Sequence, residues 1–418
     1  MQSLYNIAVF LVRGLLSFLA LFSPKLKLFV GGRRSVFQEL SAAIKDDDKV
    51  FWVHCASLGE FEQGRPVIEK LKEQYSDHKI VLSFFSPSGY EVQKNYKLAD
   101  VVVYLPLDSI SNAEKFIKLV HPTVAIFVKY EFWPNFLTAL KRNKIPSILI
   151  SGIFRENQIF FKPYGAWMRS HLETFSCFFL QDKQSEQLLS SIQFTNTTVC
   201  GDTRFDRVYD ILKRDNNLDF INAFIGDSYV LVAGSSWPED EDLLVKYILE
   251  QSTKKEKFII APHNIRSEEI QNLKLAFGDE AVLYSEKEGK QLEDYKVFIV
   301  DTMGILTKIY SCADVAYVGG GYTKSGIHNI LEPATFGIPV VIGPNFKKFK
   351  EAQDLVRLGA CIPTDSQLSL HTILTELRDH KSLRKERGEI AASYIKESLG
   401  ASDTIMAYIN TLYKRASQ

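Results

Sequence analysis

The 418-residue sequence has no net charge, with fifty Lys and Arg against fifty Asp and Glu, so nothing in its bulk electrostatics attracts nucleic acid. Cysteine is scarce. The five (Cys55, Cys177, Cys200, Cys312 and Cys361) lie far apart with no CxxC pair, which argues against a zinc knuckle or a disulfide framework. Buried thiols in a reducing compartment fit that pattern. Internal repeats and low-complexity tracts are also missing. Long apolar runs are absent but for one at the N-terminus. What is present, 46% hydrophobic and 24% charged residues, reads as globular, and 418 residues predict two domains.

From Leu4 to Phe22 the chain is nearly all apolar, and as a helix it would span about 28 Å. Arg13 interrupts it, at a cost of about 2.5–3.5 kcal/mol at mid-bilayer. Asn6, Arg13 and Ser17 fall near one stripe, so an interfacial or packed helix is an alternative to a span, and a core helix is a third. No basic residue precedes the run and no clear small-x-small site follows, against a cleaved signal peptide. Lys25, Lys27, Arg33 and Arg34 come straight after it and predict that the bulk of the protein is cytoplasmic.

Beyond this segment, apolar runs alternate with helical-period stretches. FWVHCAS, KIVLSFF, VVVYLP, TVAIFV, SILISG, CFFLQD and TTVCGD are followed, after a polar interruption, by YVLVAGSS, KFIIAPH, KVFIVDT, VAYVGGG and PVVIGP. Alternation of this kind predicts α/β architecture with helices over parallel sheets. The expected organisation is an anchor helix over 1–24, a Rossmann-like domain over 25–212, a linker over 213–225 and a second such domain over 226–395. A C-terminal helix over 396–418 is expected to pack back on the first domain. Two doubly wound domains facing each other across a cleft is the economical reading, with ligands at the carboxyl ends of the strands.

The most informative block is Asp301–Pro344, in which two strand-like runs flank a glycine-rich turn, a His-Asn pair and a helix that begins with a glutamate. Asn329 and Glu332, at i and i+3, share one face of that helix start. An amide and a carboxylate suit sugar hydroxyls, and a helix N-terminus suits a phosphate. A nucleotide-sugar site is the first hypothesis. Other strand ends carry further candidates. Gly59 and Glu60 follow the first strand, and Glu60 is either a general base or the acidic partner of a Ser57 capping box. Glu131, before Trp133-Pro134, binds an acceptor or complements a helix dipole. Ser235 and Ser236 suit an anion, with Ser236 as N-cap the simpler alternative. Arg266 either clamps a phosphate or pairs with Glu269 on the same helix.

SLGE at 57–60, EFWPN at 131–135, PHNIR at 262–266, DTMG at 301–304 and HNILEPATFGIPVVIGP at 328–344 resemble the 3-deoxy-D-manno-octulosonic acid (Kdo) transferases. The resemblance is ordered along most of the chain. It implies a GT-B glycosyltransferase that inverts the anomeric centre, with acceptor bound by the first domain and CMP-Kdo, a co-substrate, by the second. No metal or cofactor is implied. Glu60 matches the catalytic base and Arg266 the phosphate-binding arginine. Met303 and Gly304 would lie against the cytosine, Asn329 and Glu332 at the ribose and phosphate, and Ser235 and Ser236 at donor anionic groups. Gly59 and Glu131 would lie on the acceptor side. The implied partners are CMP-Kdo, a lipid A precursor such as lipid IVA, and the cytoplasmic face of the inner membrane of a Gram-negative bacterium, with no nucleic acid. The sequence departs from the family pattern at Gly326-Ile327, at Asp202 and Arg204, and at Lys129. The competing readings are a GT-B transferase using another nucleotide sugar, a sugar-nucleotide epimerase, and a membrane-tethered binder without turnover. A Rossmann dehydrogenase is disfavoured, because GGGYTKSG lacks the GxGxxG register.

Overall fold

In the computed structural model, which describes residues 1–416, the chain divides into two compact units, Met1–Arg207 with Leu399–Gln418, and Val208–Ser398. In the first, strands β1 (Val50–Cys55), β2 (Lys79–Phe84), β3 (Val101–Tyr104), β4 (Val124–Val128), β5 (Ser147–Gly152), β6 (Phe175–Leu180) and β7 (Thr197–Val199) form a sheet ordered β3-β2-β1-β4-β5-β6-β7. Every neighbouring pair is parallel. β1 and β4 are buried along their whole length and, His54 on β1 excepted, carry apolar residues on both faces rather than alternating.

The second unit repeats the plan with β8 (Tyr229–Ser236), β9 (Glu256–Pro262), β10 (Ala281–Leu283), β11 (Val297–Ile299), β12 (Val315–Val318), β13 (Val340–Ile342) and β14 (Cys361–Pro363). Its order, β10-β11-β9-β8-β12-β13-β14, is again all parallel. The two edge strands, β10 and β14, are three residues each, too short for a periodic pattern to announce them.

One expectation changes here. The segment read as a linker over 213–225 carries helix Asp219–Ile225, whose Ile221 and Phe224 are buried in the core of the second unit. Most of the polar run that suggested a linker, residues 213–217, precedes that helix and is largely exposed. Helix Ala401–Ala416 belongs to the first unit, where Ile405, Met406 and Ile409 join the core beneath β1 and β4. Residues 417–418 of the expected C-terminal helix lie outside the described residues.

The N-terminal apolar run folds as helix Gln2–Leu19, and none of its residues is buried, which removes the core-helix reading. Its amphipathicity is inverted. The stripe against the first unit is largely polar: Gln2 Nε2 donates to Asn135 at 2.7 Å, Tyr5 OH donates to Asp108 at 2.7 Å, and Asn6 accepts from Asn135 at 3.0 Å. The outward stripe carries Leu4, Ile7, Phe10, Leu11, Leu15 and Phe18, all exposed. Of the described helices, this is the one long and apolar enough to cross a membrane.

Candidate active site: two switch points

In an open parallel sheet, ligands bind beyond the carboxyl ends of the strands where the strand order reverses, because the crossovers there leave to opposite faces and open a crevice. The first sheet reverses between β1 and β4, and the second between β8 and β12. These two places hold much of what the sequence proposed, and the ends of β9, β11 and β12 hold the rest.

At the first, β1 runs into helix Leu58–Gln74 and places Gly59 and Glu60 in its first turn. The Ser57 capping box does not form. Its side chain caps no backbone amide, and its hydroxyl instead donates to Glu60 Oε2. Glu60 is half-buried and Oε1 has no hydrogen-bond partner, so one carboxylate oxygen is held and the other is open to a ligand. Gly59 is exposed with room for a methyl group, the nearest atom to a built Cβ being Ser57 Oγ at 3.8 Å.

β4 delivers Glu131, but not as a helix-dipole carboxylate. Glu131 is buried, and Oε2 lies 2.9 Å from His54 Nε2 while accepting from Trp133 Nε1 at 2.7 Å. His54 is fully buried on β1, and its Nδ1 lies 2.9 Å from Ser83 Oγ on β2. Between Val128 and Glu131, Lys129 takes a left-handed conformation (φ 71°), a strained geometry for a side-chain-bearing residue and a frequent mark of functional loops. Sequence reasoning missed His54. The available signal was a polar residue in the middle of an otherwise apolar strand.

At the second switch point, β8 ends in a bulge. The β8–β9 register shifts between Gly234 and Ser236, and Ser235 is left-handed (φ 52°). Ser236 is not the N-cap, a place taken by Trp237 ahead of helix Pro238–Gln251. Ser236 is buried and donates to Glu241 Oε1 at 2.8 Å. Glu241 sits in the first turn, where the helix dipole favours its charge, yet burial outweighs the dipole and pushes its carboxyl up to about 7. Asp240 bolts the two strand ends together, accepting from Tyr317 OH at 2.7 Å and from the amides of Gly320 at 2.7 Å and Trp237 at 2.9 Å.

The glycine run has a packing cause. A Cβ on Gly319 would meet Ser235 O and lie 2.6 Å from Ser236 Cα, and one on Gly321 would lie 2.6 Å from Gly343 Cα. Backbone therefore crosses backbone where β8, β12 and β13 end. Beside this crossing His263 stacks on His328 at 4.2 Å, and Trp237 Nε1 donates to His328 Nε2 at 2.9 Å. Burial, together with the His263 neighbour, pushes His328 down to about 4, and the accepting Nε2 assigns its proton to Nδ1.

The remaining donor-side candidates ring this place. Arg266 caps helix Ser267–Phe277, is exposed, and donates to Glu269 at 2.9 Å, the pairing that sequence spacing offered as the alternative. Met303 and Gly304 form an exposed turn after β11, with Met303 74% accessible and Gly304 left-handed (φ 91°). Asn329 Nδ2 donates to Glu332 Oε1 at 3.1 Å, as the i, i+3 spacing predicts, and Glu332 Oε2 accepts from Thr307 at 2.7 Å. The helix they open, Leu331–Thr335, is five residues long, so its dipole is slight and side chains dominate there.

Two Rossmann-like units, each a seven-stranded parallel sheet with its polar residues at the strand ends, define a GT-B fold. Solved structures of the same architecture agree. A UDP-N-acetylglucosamine 2-epimerase from Neisseria meningitidis is similar over 84% of this chain and 99% of its own (TM-score 0.56, 16% identity). MurG from Acinetobacter baumannii is similar over 87% and 99% (TM-score 0.55, 12% identity). Residues 32–207 match the family described as 3-deoxy-D-manno-octulosonic-acid transferase. Across 364 residues the chain is 28% identical to the 3-deoxy-D-manno-octulosonic acid transferase of Aquifex aeolicus, covering 85% of this chain and 94% of the relative. It is 24% identical over 380 residues to that of Haemophilus influenzae, covering 87% of each.

Proposed function

We propose that this protein transfers Kdo from CMP-Kdo to a hydroxyl of a lipid A precursor, lipid IVA being the simplest candidate, at the cytoplasmic face of the inner membrane. The observation that carries the reading is Glu60, a half-buried carboxylate at the β1/β4 switch point with one oxygen held by Ser57 and the other open. A base in that state can accept the proton of an attacking hydroxyl without first shedding a partner. The new bond joins the acceptor oxygen to the anomeric carbon, and the bond from that carbon to the phosphate oxygen breaks. The electron pair leaves with CMP, and inversion follows from attack opposite the departing phosphate.

Donor roles follow from chemistry at the other strand ends. Arg266 spends its charge on an exposed pair worth only about 0–1 kcal/mol, so exchanging Glu269 for a phosphate costs little. Glu332 and Asn329 suit ribose hydroxyls, the exposed Met303-Gly304 turn suits the cytosine face, and Ser235 and Ser236 suit the anionic groups of a sugar acid. Gly59 and Glu131 remain acceptor-side assignments in this reading.

The first helix supports a membrane-bound acceptor. Eight large apolar side chains of helix Gln2–Leu19 are exposed. Burying them yields roughly 1.5–3 kcal/mol each, which together is well above the roughly 2.5–3.5 kcal/mol that Arg13 would cost at mid-bilayer. Because the polar stripe is bonded to the first unit, the helix is read as lying in the membrane interface.

The test is a donor panel in which CMP-Kdo, UDP-N-acetylglucosamine and other nucleotide sugars are offered with lipid IVA while nucleotide release is followed. Release of CMP only when lipid is present supports the reading. Turnover of a UDP-sugar without lipid would favour the epimerase alternative and overturn it.

A further inference from the structure

Between the first helix and the body of its unit lies a cavity of about 420 Å³ whose walls include Arg13, Leu16, Arg33, Arg34, Phe37 and Asn112. Three of these are arginines, and no carboxylate lines it. Arg13 and Arg34 are exposed and make no ion pair. Arg33 is half-buried, and each of its nitrogens bonds a neutral group, donating to the carbonyls of Phe29 (2.7 Å), Phe85 (2.6 Å) and Leu105 (2.9 Å). Its guanidinium also lies 3.6 Å over the Phe29 ring. Those contacts fix its position without neutralising it, and burial pushes it down to about 9. A buried cation with no counter-charge is costly to retain.

Two further features point the same way. Asn112 is in the first turn of helix Ile110–Val120, whose amide end carries partial positive charge. Apart from Ser17 the remaining wall is apolar (Leu16, Phe37, Leu107), and the first helix, which contributes Leu16, also carries the outward apolar stripe. An occupant must therefore be anionic at one end and apolar at the other, and the volume is of headgroup size.

We propose that this cavity binds the phosphate group of a membrane lipid, with Arg13 and Arg34 closing on the anion over a positive floor supplied by Arg33. Bound there, the lipid fixes the depth and rotation of the first helix in the bilayer. This site is separate from the residues assigned to sugar transfer, although it rests on the membrane reading of that helix.

The experiment measures partitioning of the full chain onto vesicles of phosphatidylcholine alone and of phosphatidylcholine with phosphatidylglycerol. It compares wild type, R13Q/R34Q and K25Q/K27Q. The last pair removes the same charge from the same segment, and both lysines are exposed. The expected result is a preference for phosphatidylglycerol that R13Q/R34Q weakens at least tenfold more than K25Q/K27Q, with binding to phosphatidylcholine unchanged. Equal losses in the two variants would show diffuse attraction, worth about 1 kcal/mol per charge, and overturn the site. Competition by inorganic phosphate at millimolar concentration would overturn the lipid assignment. Vesicles carrying a phosphorylated lipid A precursor separate two supporting outcomes: an arginine-dependent gain there alone assigns the acceptor's phosphate, and a gain on both assigns bilayer phospholipid. Failure to bind any vesicle would overturn the proposal through the membrane reading itself.

Discussion

The two switch points share a topology and differ in what occupies them. The β1/β4 end is built from large buried polar side chains, with Glu131 locked between His54 and Trp133 and Glu60 left half-open beside Ser57. The β8/β12 end is built from small residues and backbone, where Ser235, Ser236 and three glycines bring strand ends into contact and Asp240 holds them. One end presents a fixed carboxylate, as proton transfer requires. The other presents amides, hydroxyls and an arginine nearby, as an anionic nucleotide requires. In the proposed reading, a single fold hosts two chemistries by varying side-chain size where the strands end.

The sharpest way to break this contrast is to add bulk at the crowded end. Gly319→Val drives side-chain atoms into Ser235 and Ser236 and should destabilise the second unit by roughly 3 kcal/mol or more, with loss of CMP binding, in denaturant titration and calorimetry. Gly59→Ala, at the roomy end, should leave stability within about 0.5 kcal/mol. Similar costs at the two glycines would erase the distinction. Next, Glu131→Ala removes the acceptor that Trp133 and His54 share, leaving only the 3.2 Å contact from Trp133 Nε1 to His54 Nε2, and should cost about 1–3 kcal/mol. A neutral outcome in chemical denaturation would mean that this network is not held as described.

The second unit also carries a pH signature of its own. Glu241 is held at about 7, above its ordinary 4.5, so between those values the native state binds the proton and the unfolded state does not. Stability from this group is present at low pH and is lost as pH rises from about 4.5 to 7. Glu241→Gln should therefore gain about 1–3 kcal/mol at pH 8 and little at pH 4.5. His328 acts on the acid side: held at about 4 against 6.5, its contribution is present above 6.5 and is lost as pH falls towards 4. Equal stabilisation of Glu241→Gln at both pH values would contradict the assignment. Arg266→Ala should also leave the fold nearly untouched, changing stability by less than about 1 kcal/mol while weakening CMP binding at least tenfold. Unchanged nucleotide affinity would remove Arg266 from the donor site.

Local signals made much of this legible. The alternation of apolar runs carried the two parallel sheets, and the positions of Glu60, Glu131, Ser235 and Arg266 followed from where those runs end. The Asn329–Glu332 contact follows from helical spacing alone. The residues that sequence reasoning missed act across long separations. His54 meets Glu131 from 77 residues away, and Asp240 meets Gly320 from 80. No periodicity or cap rule reports such pairs, because they exist only once strands from distant segments lie side by side. Ser57 was hidden in another way, since its local pattern spelled a cap while its hydroxyl turns to the Glu60 side chain three residues on.

The central claim is that Glu60 takes the acceptor proton while the second unit independently holds the nucleotide. It is tested most directly by the mass of lipid IVA after incubation with CMP-Kdo and either wild type or Glu60→Gln, with CMP affinity measured on both. The account predicts lipid heavier by whole Kdo units with wild type, a rate about 10²–10⁴-fold lower with the variant, and equal CMP affinity. Wild-type-like transfer by Glu60→Gln would contradict it.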